Sequence, residues 1–423
     1  MFPFLKMIVC GTIMLMGLSR CVFAQPLTRD EAVQAALEYN PEVVAAYHVW
    51  KAESARSLQA WAPPDPELEL EYDGMSGAFN FGSFGQKDLG IVQRLSFPVA
   101  SWLRGQVGGL QAQAVRLGGY ETTRQEVALR VNLAYDRVLA NAQIVRYSEE
   151  NVQLAEQLFT RAQTRFAAGD VPQLDVMRAE VAVLRQKNQH MIAQNNLKVS
   201  QVSLNALLSQ VNDTPLALAD SLAYTSEDLD LDVLHHQALM HRPELLGVQQ
   251  AYLGARKKQS LAVASTLPDV SFGVFRQTVV TPTGSQKFWR AGIAVELPVW
   301  AFLRQRGQMS EAKAQTAQAH AQRDQVKLKI GQEVDAAGAN LKAAVERAKW
   351  MQERILPTSK AAFEMAGRSY DAGKASYLEL LEAQREWVDT QTEYVETLFE
   401  YRAAKAQLAR ATGTLLNSLE NEH

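Results

Sequence analysis

The sequence predicts a mainly α-helical protein with a smaller membrane-embedded β part, assembled from two similar halves. Three observations predict this class. Long stretches carry apolar residues three and four positions apart, which is the spacing of a helix seam. Four shorter segments alternate apolar and polar residues, as strands do. Landmarks of the first half of the chain return in the second half about 200 residues later.

Composition limits the class of protein further. The 423 residues exceed the ~100 to 200 residues of one ordinary domain, so two domains or two similar halves are expected. The formal net charge is −3 and no basic cluster stands out, so nucleic acid is not an expected partner. Motifs of a nucleophile elbow, a phosphate loop or HExxH do not occur, so an enzyme or a cofactor has little support. The cluster of His235, His236 and His241 lacks carboxylates at ligand spacing, and no metal site is predicted.

The first element is a predicted signal peptide, residues 1–24. A lysine precedes an apolar run of 12 residues, and a small-residue exit precedes the expected cleavage before Gln25. Such a run is too short to cross a bilayer as a helix. Lipid attachment at Cys21 is not expected, because Arg20 stands where that signal requires a small residue. Since Cys10 and Cys21 are the only cysteines, the mature chain is expected to contain neither disulfides nor thiolate metal sites.

Two similar halves follow the signal peptide. Four landmarks return in one order, at offsets of 200 to 204 residues. The pairs are Pro41-Glu42 with Pro243-Glu244, Pro64-Asp65 with Pro268-Asp269, Pro98 with Pro298, and the corner glycines Gly169 and Gly373. One match could arise by chance among Ala-rich helices, but four ordered matches indicate duplication. We therefore predict a first repeat at 25–214, a linker at 215–232, a second repeat at 233–416 and a loose tail at 417–423.

Each half is predicted to contain a helix, a pair of strands, a long helix, a tight corner and a last helix. Apolar residues step by three and four along 127–138 and again along 174–184, as a packing seam requires. Residues 101–166 contain no proline and would measure ~100 Å as one helix, although early glycines weaken that prediction. Pro357 is expected to break the corresponding helix of the second half. Long Ala- and Gln-rich helices with thin seams favour coiled-coil-like packing.

The extended segments have the pattern of membrane strands. In ELELEYD, residues 67–73, four acids occupy one face, and Leu68, Leu70 and Tyr72 occupy the other. Each segment is about 8 to 11 residues long, close to the length that a tilted membrane strand needs, and aromatic residues such as Trp289 lie near the ends. A soluble sandwich has the same alternation and is the alternative.

Polar residues of these strands are candidates for the lining of a membrane pore. They are Glu67, Glu69, Glu71, Asp73, Arg94, Arg290 and Glu296. A solvated strand face is the alternative for the acids. Because an open sheet edge cannot face lipid, four strands need several copies of the chain to close a barrel, which favours a symmetric ring.

Taken together, these features resemble the outer-membrane efflux protein (TolC) family over nearly all of the mature length. The resemblance is carried by LTRDEAVQAALEYNPE at the mature start, the Pro-Asp before each first strand, LSFP and VELP at strand ends, and the twin corners FAAGDVPQLDVMRAE and YDAGKASYLELLEAQ. It implies a homotrimer in which the duplicated halves form a long α-helical barrel. Four β-strands per chain would close a 12-strand trimeric outer-membrane β-barrel. It implies an efflux channel and no catalysis.

The resemblance also implies partners and a location. Members lie in the lipid of the outer membrane of a Gram-negative bacterium, with a large periplasmic part. They work with a periplasmic adaptor (membrane fusion) protein and an inner-membrane pump, expected here to be of the resistance-nodulation-division type. The stretch GDVPQLDVMRAEVAVLRQ looks most like the heavy-metal (CzcC-like) branch, which favours metal cations as cargo and leaves drugs open. A periplasmic adaptor and a structural coiled-coil envelope protein are the alternatives, and the paired halves with membrane-type strands argue against both.

The twin corners would form the periplasmic tip of such a channel. The resemblance assigns adaptor docking to the turns, whose residues are Ala168, Gly169, Asp170, Ala372, Gly373 and Lys374. It assigns a gate to the acids six and nine residues after the second glycine, which are Glu379 and Glu382 here, and the matching places of the first corner hold Asp175 and Arg178. Carboxylates repeated around an axis concentrate negative charge, although Arg178 departs from an acidic ring. Alternatively, Asp175 and Glu379 are helix N-terminal acids stabilised by the helix dipole, and the two roles can coexist.

Overall fold

The computed structural model describes residues 26–82, 84–225, 230–296 and 301–417. The predicted signal peptide and residues 418–423 of the predicted tail lie outside the described residues. Most of the described chain is helical, and a single four-stranded sheet accompanies the helices. Within these ranges, no helix combines the length and the apolar character that crossing a membrane requires.

The elements follow one another in two series. The first contains α1 (Arg29–Tyr39), α2 (Pro41–Gln59), β1 (Glu67–Asp73), β2 (Gln86–Leu95), α3 (Pro98–Val115), a π-helical segment (Arg116–Glu121), α4 (Thr122–Ala167) and α5 (Gln173–Leu207). The second contains α6 (Leu231–His241), α7 (Pro243–Ala264), β3 (Val270–Thr281), β4 (Gly284–Val295), α8 (Ala301–Trp350), a π-helical segment (Met351–Ile355), α9 (Leu356–Asp371) and α10 (Tyr377–Thr412).

Two helices stand where one was predicted at the start of each series. The chain leaves the helical conformation at Asn40 (ψ 125°) and at Arg242 (ψ 114°), and α2 and α7 then begin with a proline. A residue before proline is disfavoured in the α region, while proline itself suits the first helical turn. The Pro-Glu landmarks are therefore the start signals of these second helices.

Helical backbone runs without interruption from Pro98 to Ala167, through the π-helical segment. Some of the glycines that weakened this prediction are positions of close packing, such as Gly105, where a Cβ atom would lie 2.1 Å from the Trp61 ring. A Cβ atom on Gly247 of α7 would lie 2.5 Å from the backbone nitrogen of Gly118, a distance that atoms do not tolerate. Glycine at Gly247 thus lets α7 cross the π-helical segment with backbone against backbone.

The prediction that Pro357 breaks the second long helix is wrong. The helix continues through the π-helical segment Met351–Ile355, in which the Leu356 N–H donates to the Met351 carbonyl, and Pro357 lies in the first turn of α9. Proline lacks the N–H of an ordinary helical hydrogen bond, and a wider π turn just before it accommodates that loss. The chain therefore keeps its helical direction.

The sheet is antiparallel, in the order β1-β2-β3-β4, so β1 and β4 are its edges. The register pairs Glu69 with Gly90, Gly90 with Phe275, and Phe275 with Arg290. Side chains therefore divide by alternation. The polar face consists of the odd-numbered residues of β1 and β3 and the even-numbered residues of β2 and β4. The apolar face consists of the other residues of the four strands.

The long helices lie in a row. Helix α5 packs along α4, α4 packs against α10, and α10 packs against α8 and α9. Separate apolar clusters, which contain Tyr135, Tyr401 and Tyr377 respectively, hold this row together. Helices α5 and α8–α9 therefore form the two ends of the row.

The predicted linker is packed at both ends against the long helices. Leu218 forms a parallel bridge with Leu27, and Asp220 Oδ2 accepts a hydrogen bond of 2.7 Å from the Tyr135 hydroxyl of α4. The Thr225 carbonyl accepts a hydrogen bond of 2.7 Å from Tyr401 of α10. The linker thus connects the two series while contacting both.

Candidate functional site

The first corner is a tight helix ending built on glycine. Gly169 has a φ of +83°, in the left-handed region that favours glycine. Its N–H donates to the Phe166 carbonyl at 2.9 Å, and the Asp170 N–H donates to the Arg165 carbonyl at 2.9 Å. This pair of bonds is the Schellman motif, which satisfies the last carbonyls of α4.

The second corner has the same geometry. Gly373 has a φ of +70°, its N–H donates to the Tyr370 carbonyl at 3.0 Å, and the Lys374 N–H donates to the Ser369 carbonyl at 2.8 Å. Residues 168–170 and 372–374 are exposed at both corners. The six residues predicted for adaptor docking are therefore accessible, on two turns of one design.

Arg165 connects the two corners. Its Nη1 donates to the Tyr370 carbonyl of α9, and its guanidinium carbon lies 4.7 Å from the centre of the Tyr370 ring. Its Nε lies 3.9 Å from Asp170 Oδ2. Sequence reasoning missed Arg165, although the equivalent place in the other corner is Ser369, and that inequality was a visible signal.

Two buried tyrosines form the core behind the corners. Tyr370 and Tyr377 meet edge to face, with ring centres 5.8 Å apart. Leu158 of α4 and Ala179 of α5 belong to the same apolar cluster. Burial is the largest cause, and the nearby Tyr370 and Asp175 act in the same direction, so that together they raise the pKa of the Tyr377 hydroxyl to about 12. The two helical hairpins of one chain are thus fastened together by apolar packing and by Arg165.

The predicted gate residues of the first hairpin form a local pair. Asp175 lies in the first turn of α5, and its Oδ1 lies 3.4 Å from Arg178 Nη1. The Asp175 side chain is 14% exposed, against 40% for Arg178, so the arginine extends further into solvent. Arg178 therefore partly neutralises Asp175 within its own chain.

The predicted gate residues of the second hairpin differ in their contacts. Glu379 forms a capping box with Ser376, since its Oε2 accepts the Ser376 N–H at 2.7 Å and the Ser376 hydroxyl at 3.0 Å. These hydrogen bonds, first that from the backbone, lower the pKa of Glu379 below its usual range. Glu382 is exposed one turn further along α10. Glu379 thus has a helix-capping role whatever else it does.

The seven predicted pore-lining residues lie on one side of the sheet. Six of them belong to the polar face, and Glu296 follows β4 in the same alternation. Arg94 Nη2 lies 3.1 Å from Glu67 Oε2. Asp88, which sequence reasoning missed, is 2% exposed on this face and lies 3.2 Å from Arg290 Nη2. The alternation of Asp88 with Leu89 was its visible signal.

An aromatic ring fills part of the polar face. A Cβ atom on Gly90 would lie 2.2 Å from the Phe275 ring, and one on Gly273 would lie 2.6 Å from it. Arg290 lies over the same ring at 4.6 Å. The two glycines therefore make room for Phe275, which supports the Asp88–Arg290 pair.

The histidine cluster does not converge on a common point. His235 Nε2 lies 2.8 Å from Asp335 Oδ1 of α8. Across the ranges that the structure describes, no group of three His, Cys, Asp or Glu side chains could hold a metal ion.

Comparison with known proteins identifies the family. The model of the family "Outer membrane efflux protein" matches residues 32–210 and 234–414. The pyoverdine export outer membrane protein OpmQ of Pseudomonas putida is 25% identical over 388 residues, covering 86% of this chain and 80% of OpmQ. The cobalt-zinc-cadmium resistance protein CzcC of Cupriavidus metallidurans is 21% identical, covering 86% and 84%.

The fold has solved counterparts as well. The outer membrane protein VceC of Vibrio cholerae superimposes with a TM-score of 0.74 at 18% identity, covering 91% of this chain and 96% of VceC. The mostly helical chain with its four-stranded sheet therefore matches the fold of a solved outer-membrane protein. The chain therefore belongs to the outer membrane efflux protein family, and it is an efflux channel of the outer membrane.

Proposed function

We propose that three copies of this chain form the exit duct of a tripartite efflux pump, with a 12-strand barrel in the outer membrane and a helical tunnel in the periplasm. One observation carries the proposal. Within the described residues, the sheet ends in two different unpaired edges, and the row of long helices also ends in two different exposed edges. Unlike edges that pair head to tail generate a closed ring.

The edges of the sheet support this assembly. All twelve residues of β4 are exposed, and six of the seven residues of β1 are exposed. Their backbone groups cannot face lipid unpaired, so β1 of one copy is expected to pair with β4 of the next. Three copies of four strands then close the 12-strand barrel.

The ends of the helical row support it as well. Helix α5 exposes an apolar seam with the three- and four-residue steps of a coiled coil. The seam consists of Leu174, Met177, Val181, Leu184 and Met191, which are 48 to 61% exposed. At the other end, Trp350 and Met365 are each 61% exposed. We propose that α5 packs against the α8–α9 end of the neighbouring copy.

Two duplicated halves account for the internal order of the chain. The proposed repeats, 25–214 and 233–416, each contain two short helices, two strands, a long helix with a π-helical segment, a corner and a last helix. The two stretches matched by the family model fall within them. The linker, 215–232, would then be the join between repeats.

A gate at the corners is part of the proposal. Around a three-fold axis, Asp175, Glu379 and Glu382 would recur three times, and Arg178 would reduce the charge of the Asp175 ring. The exposed turns at Gly169 and Gly373 are the proposed docking points for a periplasmic adaptor. The inner-membrane pump, proposed to be of the resistance-nodulation-division type, would supply the energy.

Metal cations are the proposed cargo because the pore lining is acidic. The polar face carries five acids, followed by Glu296, against two arginines. A lumen with this excess of carboxylates favours cations. The name of CzcC concerns cobalt, zinc and cadmium, and that of OpmQ concerns pyoverdine export, so relatives of both cargo classes exist.

A charge placed in the exposed seam tests the assembly. Val181→Asp would bury a carboxylate in each of three joints, so heat-resistant trimers on unboiled gels of the outer-membrane fraction should be lost. Gln189→Asp, exposed on α5 away from the seam, is the matched control and should keep them. Trimers that survive in Val181→Asp would contradict the proposed joint.

The metal tolerance of a strain that lacks this protein tests the proposed cargo. If the deletion strain tolerates metal cations as well as its parent does, metal cations are not the preferred cargo.

A further inference from the structure

We propose that the apolar face of the sheet ends in a binding site for anionic, phosphate-bearing lipid. The site consists of Lys87, Arg276 and Lys287, which we call the basic band. This inference rests on the proposed placement of the apolar face in the membrane, and it adds the class of lipid that the face selects.

The register places the basic band in two adjacent rows. Tyr72, Lys87, Thr278 and Lys287 pair directly across the four strands, and Leu70, Leu89, Arg276 and Trp289 form the next row. Strands lie ~4.8 Å apart and alternate residues ~7 Å apart along a strand, so the three cationic positions lie within ~10 Å of one another. That spacing suits one phosphate-bearing headgroup.

Charge is segregated between the two faces. Among the strand residues that the structure describes, every acid lies on the polar face, and the apolar face carries the three bases of the band. No carboxylate of the described chain forms an ion pair with Lys87, Arg276 or Lys287. The band therefore presents uncompensated positive charge to whatever surrounds the sheet.

Aromatic rings hold two of the three bases in the band. The Lys87 Nζ lies 5.1 Å from the centre of the Tyr72 ring, and the Arg276 guanidinium carbon lies 5.0 Å from the Trp289 ring. Cation–π contacts of this kind orient the basic side chains. Trp and Tyr also prefer the level of lipid headgroups, where one side of the ring is apolar and the other is wet.

The position along the strands selects the leaflet. The band lies next to the loops at 74–85 and 282–283, whereas Leu95, Val270 and Val295 form the row beside the helices. Apart from Gln93, the rows between these two ends are apolar, with Ile91, Val274 and Ile293 among their members. The band thus lies at the membrane surface remote from the periplasmic helices, where acyl chains can cover the apolar rows and headgroup phosphates can reach the bases.

The test counts lipids bound to the purified, detergent-solubilised channel by native mass spectrometry. Lipid A is the anionic probe, phosphatidylcholine the zwitterionic control, and inorganic phosphate the headgroup without acyl chains. Removing each base should weaken lipid A binding about fivefold, so the triple variant Lys87→Gln, Arg276→Gln, Lys287→Gln should bind about 100-fold more weakly. Arg94→Gln, on the polar face, is the matched control and should bind lipid A as the unmodified channel does.

Three outcomes would overturn the inference. The first is unchanged lipid A binding by the triple variant, and the second is an equal loss of binding in Arg94→Gln. The third is inorganic phosphate binding as tightly as lipid A, which would indicate a free phosphate site.

Quenching of tryptophan fluorescence by brominated lipid shows whether only the lipid site is wrong or the proposed membrane placement of the sheet is wrong too. Trp289 lies on the apolar face and is 70% exposed, so brominated acyl chains should quench its fluorescence. The contribution of Trp289 is the part of the tryptophan fluorescence that disappears in Trp289→Phe. If Trp289 is quenched while the triple variant keeps its lipid A, only the basic band is wrong. If Trp289 is not quenched, the proposed placement of the sheet is wrong as well.

Discussion

Arg165 is the side chain that joins the two corners of one chain. Its guanidinium bonds a carbonyl at the end of α9, covers the Tyr370 ring and is 23% exposed. A partly buried, charge-assisted hydrogen bond is worth more than the exposed pairs around it. The neighbouring Arg161–Asp371 pair, at 3.4 Å and more than half exposed on both sides, is an example of the weaker kind.

We expect Arg165→Ala to loosen the corners by about 1 to 3 kcal/mol. In the proposed trimer this should raise the conductance of single channels in planar bilayers, because the second hairpin is freed to move. Arg161→Ala is the control and should leave the conductance unchanged. Equal conductance in both variants would show that the corners do not restrict the pore.

Glu379 gives the second corner a pH dependence. Its carboxylate accepts two hydrogen bonds from Ser376, which lower its pKa. A lowered folded-state pKa means that the stabilisation is fully present above the ordinary pKa of glutamate. It is lost as the pH falls through the lowered value. Hydrogen exchange of peptides covering 376–380 should show the start of α10 opening in acid, and Ser376→Ala should show the same opening at neutral pH. A cap that survives acid unchanged would contradict this account.

Among the elements, α7 and the π-helical segment cross with backbone against backbone. Gly247 meets the backbone of Gly118 without room for a methyl group. Most other helical glycines are not constrained in this way. Gly331 of α8, for example, faces open space within the chain.

We expect Gly247→Ala to destabilise the fold by about 1 to 3 kcal/mol, because the backbones must separate. Gly331→Ala should be neutral or stabilising, since alanine favours a helix by about 1 kcal/mol over glycine. The midpoint of thermal unfolding of the purified channel measures both. A Gly247→Ala midpoint that matches the Gly331→Ala midpoint would exclude the tight crossing.

Local signals account for much of what the sequence predicted at this scale. The corner glycines, the period-two strands and the common side of the predicted pore-lining residues follow from backbone preference and alternation, which are properties of a few neighbouring residues. The path at Pro357 could not be predicted in this way, since the wider π turn before it depends on which backbone groups bond each other, and the residue types do not reveal that choice. Arg165 was missed because its acceptor is a carbonyl 205 residues away.

For the whole molecule, we propose that copies of this chain close a ring in which one edge of each copy pairs with the different edge of the next copy. One chain leaves β1 and β4 unpaired and leaves α5 and the α8–α9 end exposed. No strand of the described residues pairs with the outer side of β1 or β4, and α5 and α8–α9 lie at opposite ends of the helical row. The two similar halves of one chain do not close a ring by themselves, so a pore requires several copies of the chain.

Cysteine cross-linking tests this claim most directly. Val181 lies eight residues after the start of α5, which is ~12 Å along the helix from the first corner. Met365 lies six residues before the end of α9, which is ~9 Å from the second corner. Both native cysteines fall in the predicted signal peptide, so the background should be clean. A chain with Val181→Cys and Met365→Cys should cross-link into trimers with a short bis-maleimide, while either single variant should stay monomeric on denaturing gels. Dimers from the single variant Val181→Cys would mean that like edges pair, which would contradict the ring.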